Sequence, residues 1–463
     1  MPHPDPTAPA LSLDETRARA IFAMVCDANG DHAVEVTLAA TVSELTRFAN
    51  NTIHQNVAEE HVSLSVRTQT ADGRTARATT NRLDPEGVRA VVARAGELTR
   101  LQHPDPEALP MAGPQTIVPV TRFFPATAAL SPADRAAVVG DIVSEADRHG
   151  FTTAGVVANQ QGALAILNSN GLEAFHRETS AEYSITMLAI DSSGWAKGNA
   201  PDLSRLAPVA AARRAAEKAR LSAAPVEIPP GRYTVILEPA AVLDLMGFLF
   251  YDFGGLSVLD QRSFLTGRTG TKLFGDNITI RDDVAHPLQS GAPFDGEGIP
   301  RQATTLVEAG TVRHLVYARQ TAVRMQREQP AMQAAPTGHG FPLPNEYGEA
   351  PANIVMQGGT NSLDAMIADT ERGILVTRLW YIREVDPFKK ILTGMTRDGT
   401  FLIEDGKLQR GVRNFRFNQS MVEMLNQVDQ LGVSERSSGE ESFDMVVPPM
   451  RVHGFQFTEV TRF

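Results

Sequence analysis

A proline-rich stretch at 223–230 (AAPVEIPP) splits the chain into halves of different rhythm, and this change constrains the fold more than any other feature. Three prolines in eight residues restrict the backbone and remove three N–H donors, so neither a helix nor a central strand can run through. Upstream, alternating apolar and polar runs are interleaved with helical patterns. Downstream, short apolar runs are separated by Gly, Pro and Asn turns, the rhythm of a sandwich or barrel. At roughly 100–200 residues per domain, a chain of 463 residues has room for two large domains or three smaller ones. We read an α+β protein: residues 1–228 form an N-terminal α/β domain with antiparallel strands and helices, and residues 229–463 form a C-terminal β-rich, sandwich or barrel-like domain.

Local signals place the elements. A helix is expected over 12–29, with Ser12 as N-cap and Glu15 completing a capping box. Strands are expected at 33–40 and 61–70. A turn lies within 47–55, where Asn50 and Asn51 tolerate left-handed backbone, and Asp72-Gly73 marks a hairpin. Asp84 and Pro85 open a helix that runs to Leu101, and Ser131-Pro132 open another that runs to about His149. Strands follow at 151–159, 162–168, 173–177 and 181–191, with Asn170-Gly171 as a hairpin turn. A helix over 203–221 closes this half, and its Arg213, Arg214 and Arg220 read as a solvated face. Beyond the prolines come a strand at 233–237 and a helix over 240–252 (AAVLDLMGFLFYD). That helix is apolar almost all round, with Asp244 its main polar interruption, so it should be buried on several sides. Further strand-like runs are 277–281, 304–308, 311–318, 354–357, 373–381 and 399–404.

Bulk properties exclude some functions. A formal net charge of -11 argues against direct nucleic-acid binding, which needs clustered cations to neutralise phosphates. One cysteine, Cys26, rules out an intramolecular disulfide and fits a reducing compartment. Residues 1–10 show no charged segment followed by an apolar core, and no run approaches the roughly 20 apolar residues that span a bilayer. The expected location is cytoplasmic, without a membrane partner.

Five blocks, in order, resemble the TldD/PmbA family. They are RFANN at 47–51 with Ile53 and Gln55; YTVILEP at 233–239; FDGEGIPR at 294–301 with LVEAG at 306–310; NIVMQG at 353–358; and Leu392-Thr393-Gly394 with FLIEDGK at 401–407. The positions that carry the resemblance, without an assigned role, are Arg47, Asn50, Asp295, Glu297, Gly298, Thr393, Gly394, Glu404 and Gly406. The resemblance implies an N-terminal α/β and a C-terminal β-rich domain, association into dimers, and a link to proteolysis. In the catalytic TldD branch an H-E-x-x-x-H helix early in the C-terminal domain holds zinc. Here the matching helix, 240–252, has no histidine, no H-E-x-x-H or H-E-x-x-x-H occurs anywhere, and Cys26 is too early to be a C-terminal ligand.

This pattern is closer to the PmbA (TldE) branch, which implies a subunit without zinc or catalytic residues of its own. Its partner would be a TldD-like zinc metallopeptidase chain or a second copy, and its substrate unfolded peptide, held as a strand on a sheet edge. Two alternatives stand beside it. A self-sufficient metallopeptidase would draw ligands from His339, with Glu346 and Glu349, or from the acidic loop at Asp282; a solvated Gly/Pro-rich surface loop is the simpler expectation for GHGFPLPNEYGE. A protein-binding modulator of DNA gyrase is the other, after the family's older name. His54 and His61 flank a strand and read as hairpin surface residues that lie close together, and His176, His286, His314 and His453 stand alone. No G-x-S-x-G, P-loop or G-x-G-x-x-G is present. The segment 379–390 (LWYIREVDPFKK) is bulkier and more charged than the resemblance predicts.

Overall fold

The computed structural model describes residues 11–30 and 32–461; the reading of residues 1–10 lies outside them. The first half is one antiparallel sheet, β1 (Ala33–Ala49), β2 (Thr52–Gln69), β3 (Thr75–Thr80), β4 (Thr152–Asn168), β5 (Glu173–Leu188) and β6 (Ser193–Ala200), in the order β3-β2-β1-β4-β5-β6. Helices α1 (Glu15–Ala28), α2 (Pro85–Leu101), α3 (Pro132–His149) and α4 (Pro208–Leu221) accompany it. Along β1, Val34, Val36, Leu38, Ala40 and Val42 all reach 1% exposure or less. The valine and leucine side chains among them each contribute roughly 1.5–3 kcal/mol on burial, which fixes which face turns inward.

The helix starts follow their caps. Asp84 accepts from the N–H groups of Glu86 and Gly87, and Pro85 needs no donor at the first turn. Ser131 and Asp134 form a reciprocal capping box, and Gly150 closes α3 in the left-handed region at φ 67°. The cap of α1 is Asp14, whose Oδ1 accepts from Arg17 N at 2.7 Å; it displaces the expected Ser12, whose carbonyl instead accepts from the Arg17 guanidinium. The expected pair of strands at 151–159 and 162–168 is a single strand, because β4 pairs with β1 without a break through Gly162. The helix expected from Leu203 starts only at Pro208; a short 3-10 turn, Leu203–Arg205, precedes it. Five alanines of α4, at 211, 212, 215, 216 and 219, are fully buried. They let the helix lie so close to β6 that a Cβ on Gly194 would stand 2.0 Å from the Ala215 carbonyl oxygen.

The proline-rich segment is docked: Val226 exchanges backbone hydrogen bonds with Gly411 and Arg413. Beyond it come β7 (Arg232–Leu237), β8 (Ile280–Asp282), β9 (Thr304–Glu308), β10 (Thr311–Val312), β11 (Ile354–Met356), β12 (Arg372–Asp386), β13 (Ile391–Glu404), β14 (Lys407–Gly411), β15 (Phe415–Ser420), β16 (Val428–Leu431), β17 (Glu435–Ser437), β18 (Met445–Val447) and β19 (Met450–Val460). The order β12-β7-β19-β15-β13 is closed by pairing of β12 with β13, so these strands form a barrel. Phe415, Phe417, Phe455 and Phe457 stack inside it, with the Phe415 and Phe457 rings 4.6 Å apart. The short strands form a second sheet, β10-β9-β8-β11-β18-β17. Only two residues of the run expected at 311–318 are strand; the rest leads into the helix α6 (Arg319–Glu328), counting as α5 the helix Pro239–Met246.

The helix expected over 240–252 is interrupted. α5 ends at Met246 and continues as a 3-10 segment, Gly247–Phe253. Gly247 marks the change, since a Cβ there would lie 1.9 Å from Ser442 Oγ. The expectation of all-round burial holds for α5, every residue of which after Pro239 is buried.

Candidate functional site

The positions singled out from the sequence fall on separate elements. Asn50 and Asn51 make the β1–β2 turn in left-handed backbone, φ 49° and 58°. Asn51 fastens that turn to the next layer, donating to Asp147 and to the Phe151 carbonyl and accepting from Thr153 N at 2.6 Å. Arg47 is exposed and reaches Gln55 at 3.4 Å. Thr393 donates to the Phe417 carbonyl, and a Cβ on Gly394 would meet the Phe417 ring at 2.8 Å. Glu404 and Gly406 flank the β13–β14 turn, where Asp405 and Gly406 take φ 51° and 70°. These are turn and packing positions, and the histidines behave likewise. His54 and His61 lie seven residues apart on one strand, too far to meet, and both are exposed; His314 and His453 are exposed too.

Asp295, Glu297 and His339 do converge, around the backbone of Gly340. Asp295 Oδ1 accepts from Glu297 N and Ile299 N, both at 2.9 Å, and its Oδ2 accepts from Gly340 N at 2.7 Å. Glu297 accepts from Arg319 N at the start of α6, and the Arg319 guanidinium lies 3.8 Å away. Gly298, at φ 77°, seats this turn on the N-terminal sheet, since a Cβ would lie 2.3 Å from the Leu172 side chain.

The loop expected to be solvated around His339 is exposed only at its tip, at Pro342, Pro344, Glu346 and Tyr347, and its ends are buried. His339 and Glu349 are each 1% exposed, and Glu346 alone of the three faces solvent. His339 Nε2 lies 3.1 Å from Asp282 Oδ1, while its Nδ1 is 3.0 Å from Thr337 Oγ1. Asp282 Oδ2 accepts from Ala352 N and Asn353 N. Glu349 accepts from Leu256 N, Ala318 N and Thr321 Oγ1. The backbone of a loop with this many prolines and glycines cannot satisfy itself, so buried carboxylates supply its acceptors. That need leaves no composition signal, and the sequence reading missed it.

Burial sets the charge states. It raises Asp295 above the usual carboxylate range, with the three N–H donors pulling back. Burial, then the Asp295 carboxylate, pushes Glu297 up to about 7. Asp282 is held below its ordinary value, because His339, Arg301 and the Asn353 N–H outweigh its burial. All these groups are 5% exposed or less, so no substrate reaches them without rearrangement. What the arrangement does is hold 294–301, 337–349 and the start of α6 in one piece.

A second buried centre, also missed, lies where the zinc helix of the resemblance would be. Asp244 on α5 is fully buried; its Oδ1 accepts from Glu441 N at 3.0 Å and its Oδ2 has no partner among the described residues. Burial, with the Glu441 carboxylate adding to it, raises Asp244 to about 7. At the end of the following 3-10 segment Asp252 meets the buried Lys390, whose ammonium also holds Glu384 at 2.6 Å and the Phe248 carbonyl. Lys390 belongs to the unusually charged 379–390 segment, whose bulk thus locks the end of the 3-10 turn. Among the described residues no group of three or more His, Cys, Asp or Glu is arranged to hold a metal ion.

Comparison with known proteins bears on this geometry. The models described as PmbA/TldA metallopeptidase domain 1, central domain and C-terminal domain match residues 34–99, 126–223 and 230–459. A metalloprotease of Methanothermobacter thermautotrophicus is 27% identical over 322 residues, 63% of this chain and 66% of that protein. A metalloprotease of Methanocaldococcus jannaschii is 24% identical over 208 residues, 43% of each chain. The match therefore spans less than two thirds of the length of either relative. The crystal structure of TldE from Thermococcus kodakarensis is similar at a TM-score of 0.84 and 20% identity, covering 96% of this chain and 100% of that one. A Thermotoga maritima structure named for modulation of a DNA gyrase gives 0.82 at 18% identity, over 96% and 100%. At such identities these structures speak for the fold. Three models of one family, matched in order from residue 34 to residue 459, carry the conclusion that this chain belongs to the PmbA/TldD family of metallopeptidase-related proteins.

Proposed function

We propose that the chain is a PmbA-like, non-catalytic subunit of a TldD-type zinc metallopeptidase complex that acts on unfolded peptides or peptide precursors. The observation that carries this reading is the chemistry of α5 and the 3-10 segment after it. A catalytic zinc needs three N, S or O ligands and an open position for water. The segment offers Leu243, Leu245 and Met246, all with no exposure, and its one central carboxylate, Asp244, is already engaged by Glu441 N. These residues do not fit the metal, so the zinc and its chemistry are assigned to a TldD-like partner chain. This chain's contribution would be to help enclose the site and present peptide. Beyond the reach of β3, residues 52–63 of β2 pair only with β1, leaving an open edge on which an extended peptide can add as a strand. No helix among the described residues is long and apolar enough to cross a membrane.

The test is zinc content and peptidase activity of the full chain, alone and co-expressed with the family member from the same genome that carries H-E-x-x-x-H. The expected result is neither zinc nor cleavage alone and both in the complex. Stoichiometric zinc with cleavage by this chain alone would overturn the proposal.

A further inference from the structure

A cleft of about 500 Å³ opens where the outer edge of β6 faces β17, the edge strand of the short-stranded sheet. Five cations line it, Arg122, Lys197, Arg205, Arg214 and Arg436, against two carboxylates, Asp202 and Glu435. This is a local excess of positive charge in a chain whose formal net charge is -11.

Several of these charges are already spoken for. Arg436 joins the two edges, donating to Asn199, Ser290 and Asp444. Lys197 reaches the Gly439 carbonyl and lies 3.7 Å from Glu440. Arg214 faces the Tyr183 hydroxyl and Glu435. Asp202 accepts from Ser204 N, so part of its acceptor capacity is turned to its own backbone.

Two cations are left over. Arg205 is exposed at the rim and has no hydrogen-bond or ion-pair partner among the described residues. Arg122, 6% exposed, is held by the carbonyls of Thr121, Val284 and His286, yet its Nε has no partner. No carboxylate contacts it; its burial and the neighbouring Arg436 work against its charge, and Glu178 and Asp283 offset them only in part. A buried guanidinium without a contacting anion is costly, and an oxyanion entering the cleft would relieve both the desolvation and the mutual repulsion. The walls favour an extended ligand: β6 pairs with β5 on one side only, so its outer backbone groups at 198–200 face the cleft.

We propose that this cleft is an oxyanion site that receives the C-terminal carboxylate of an extended peptide laid along the free edge of β6. The inference rests on the peptide-binding reading above and adds to it a preference for a free chain end.

The experiment is fluorescence polarisation of a labelled neutral hexapeptide, as free acid and as C-terminal amide, on the full chain alone and in complex. The Arg122→Gln/Arg205→Ala double variant, with Arg205→Ala alone beside it, and inorganic phosphate as competitor complete it. Arg205 is exposed and Arg122 buried, so thermal unfolding checks that the double variant folds, and the single variant reads the effect without touching the buried residue. The acid should bind about tenfold tighter than the amide, about 1.4 kcal/mol. The double variant should lose that preference while amide affinity stays, and phosphate should compete with the acid alone. Equal affinity for acid and amide, or a preference that survives in the variant, overturns the carboxylate site and leaves peptide binding standing. Competition by phosphate without any acid preference assigns the cleft to a small anion and overturns the peptide part. Binding of neither peptide by chain or complex overturns the peptide-binding reading itself.

Discussion

Replacing Asp244 by Asn should make the protein more stable at alkaline pH and leave it nearly unchanged in acid. The carboxyl is fully buried on α5, with one oxygen accepting from Glu441 N and the other unpartnered. Burial and the adjacent Glu441 raise it from 3.8 to about 7. An acid whose value is higher folded than unfolded costs stability above its unfolded value. The cost grows as pH rises from about 4 to about 7 and is constant beyond. Roughly three units at 1.36 kcal/mol each give about 4 kcal/mol as the order of magnitude. Asn cannot ionise and has nearly the same shape, so the variant escapes this cost. Urea denaturation of both proteins at pH 4.5, 6, 7 and 8 reads the difference directly. The variant should gain on the wild type by about 1.4 kcal/mol per pH unit through the window, then level off. His176, lowered to about 4 by its burial, destabilises both proteins as pH falls through 6.5 and cancels in the comparison. A difference that stays flat from pH 4.5 to 8 would refute the reasoning, because it would mean that Asp244 ionises as freely folded as unfolded.

Three further outcomes follow from the same accounting of buried groups. Asp295→Ala orphans the N–H groups of Glu297, Ile299 and Gly340 and should lower the denaturation midpoint by the equivalent of about 3 kcal/mol or more; a loss below about 1 kcal/mol would show that water replaces the carboxylate. Glu35→Gln leaves the buried Arg67 and the half-buried Arg77 without their shared carboxylate and should cost about 3–5 kcal/mol, with little dependence on salt; an effect that vanishes at 1 M salt would count against it. Gly439→Ala puts a Cβ 2.1 Å from Asp244 Oδ1 and 2.8 Å from the Leu243 side chain, and should destabilise by about 1–3 kcal/mol in thermal unfolding; an unchanged midpoint would mean that the 438–441 loop moves freely.

The site was legible only in part. The sequence marks Asp295, Glu297 and Gly298 as one block and groups His339 with Glu346 and Glu349, but it does not show that one cluster holds His339 with the first block. His339 and Asp282 are 57 positions apart and meet only because β8 and the 337–349 loop pack on each other. The bland expectation of a solvated loop failed at His339 and Glu349 for a physical reason: turn-rich composition reports backbone flexibility, whereas burial is decided by what packs on top. Asp244 was visible as a polar interruption in an apolar helix, but its partner Glu441 lies nearly 200 residues on.

By itself the sequence determined the local structure and the family. Caps at Asp84 and Ser131, turns at Asn50-Asn51 and Asn170-Gly171, and strand alternation depend on neighbours within a few residues, and so does the absence of H-E-x-x-x-H. Tertiary structure alone decided the closure of the barrel through β12 and β13, the break of the central helix at Gly247, and which carboxylates and guanidinium groups lie buried beside one another. Those outcomes depend on contacts between distant segments, where desolvation and close approach outweigh any local preference.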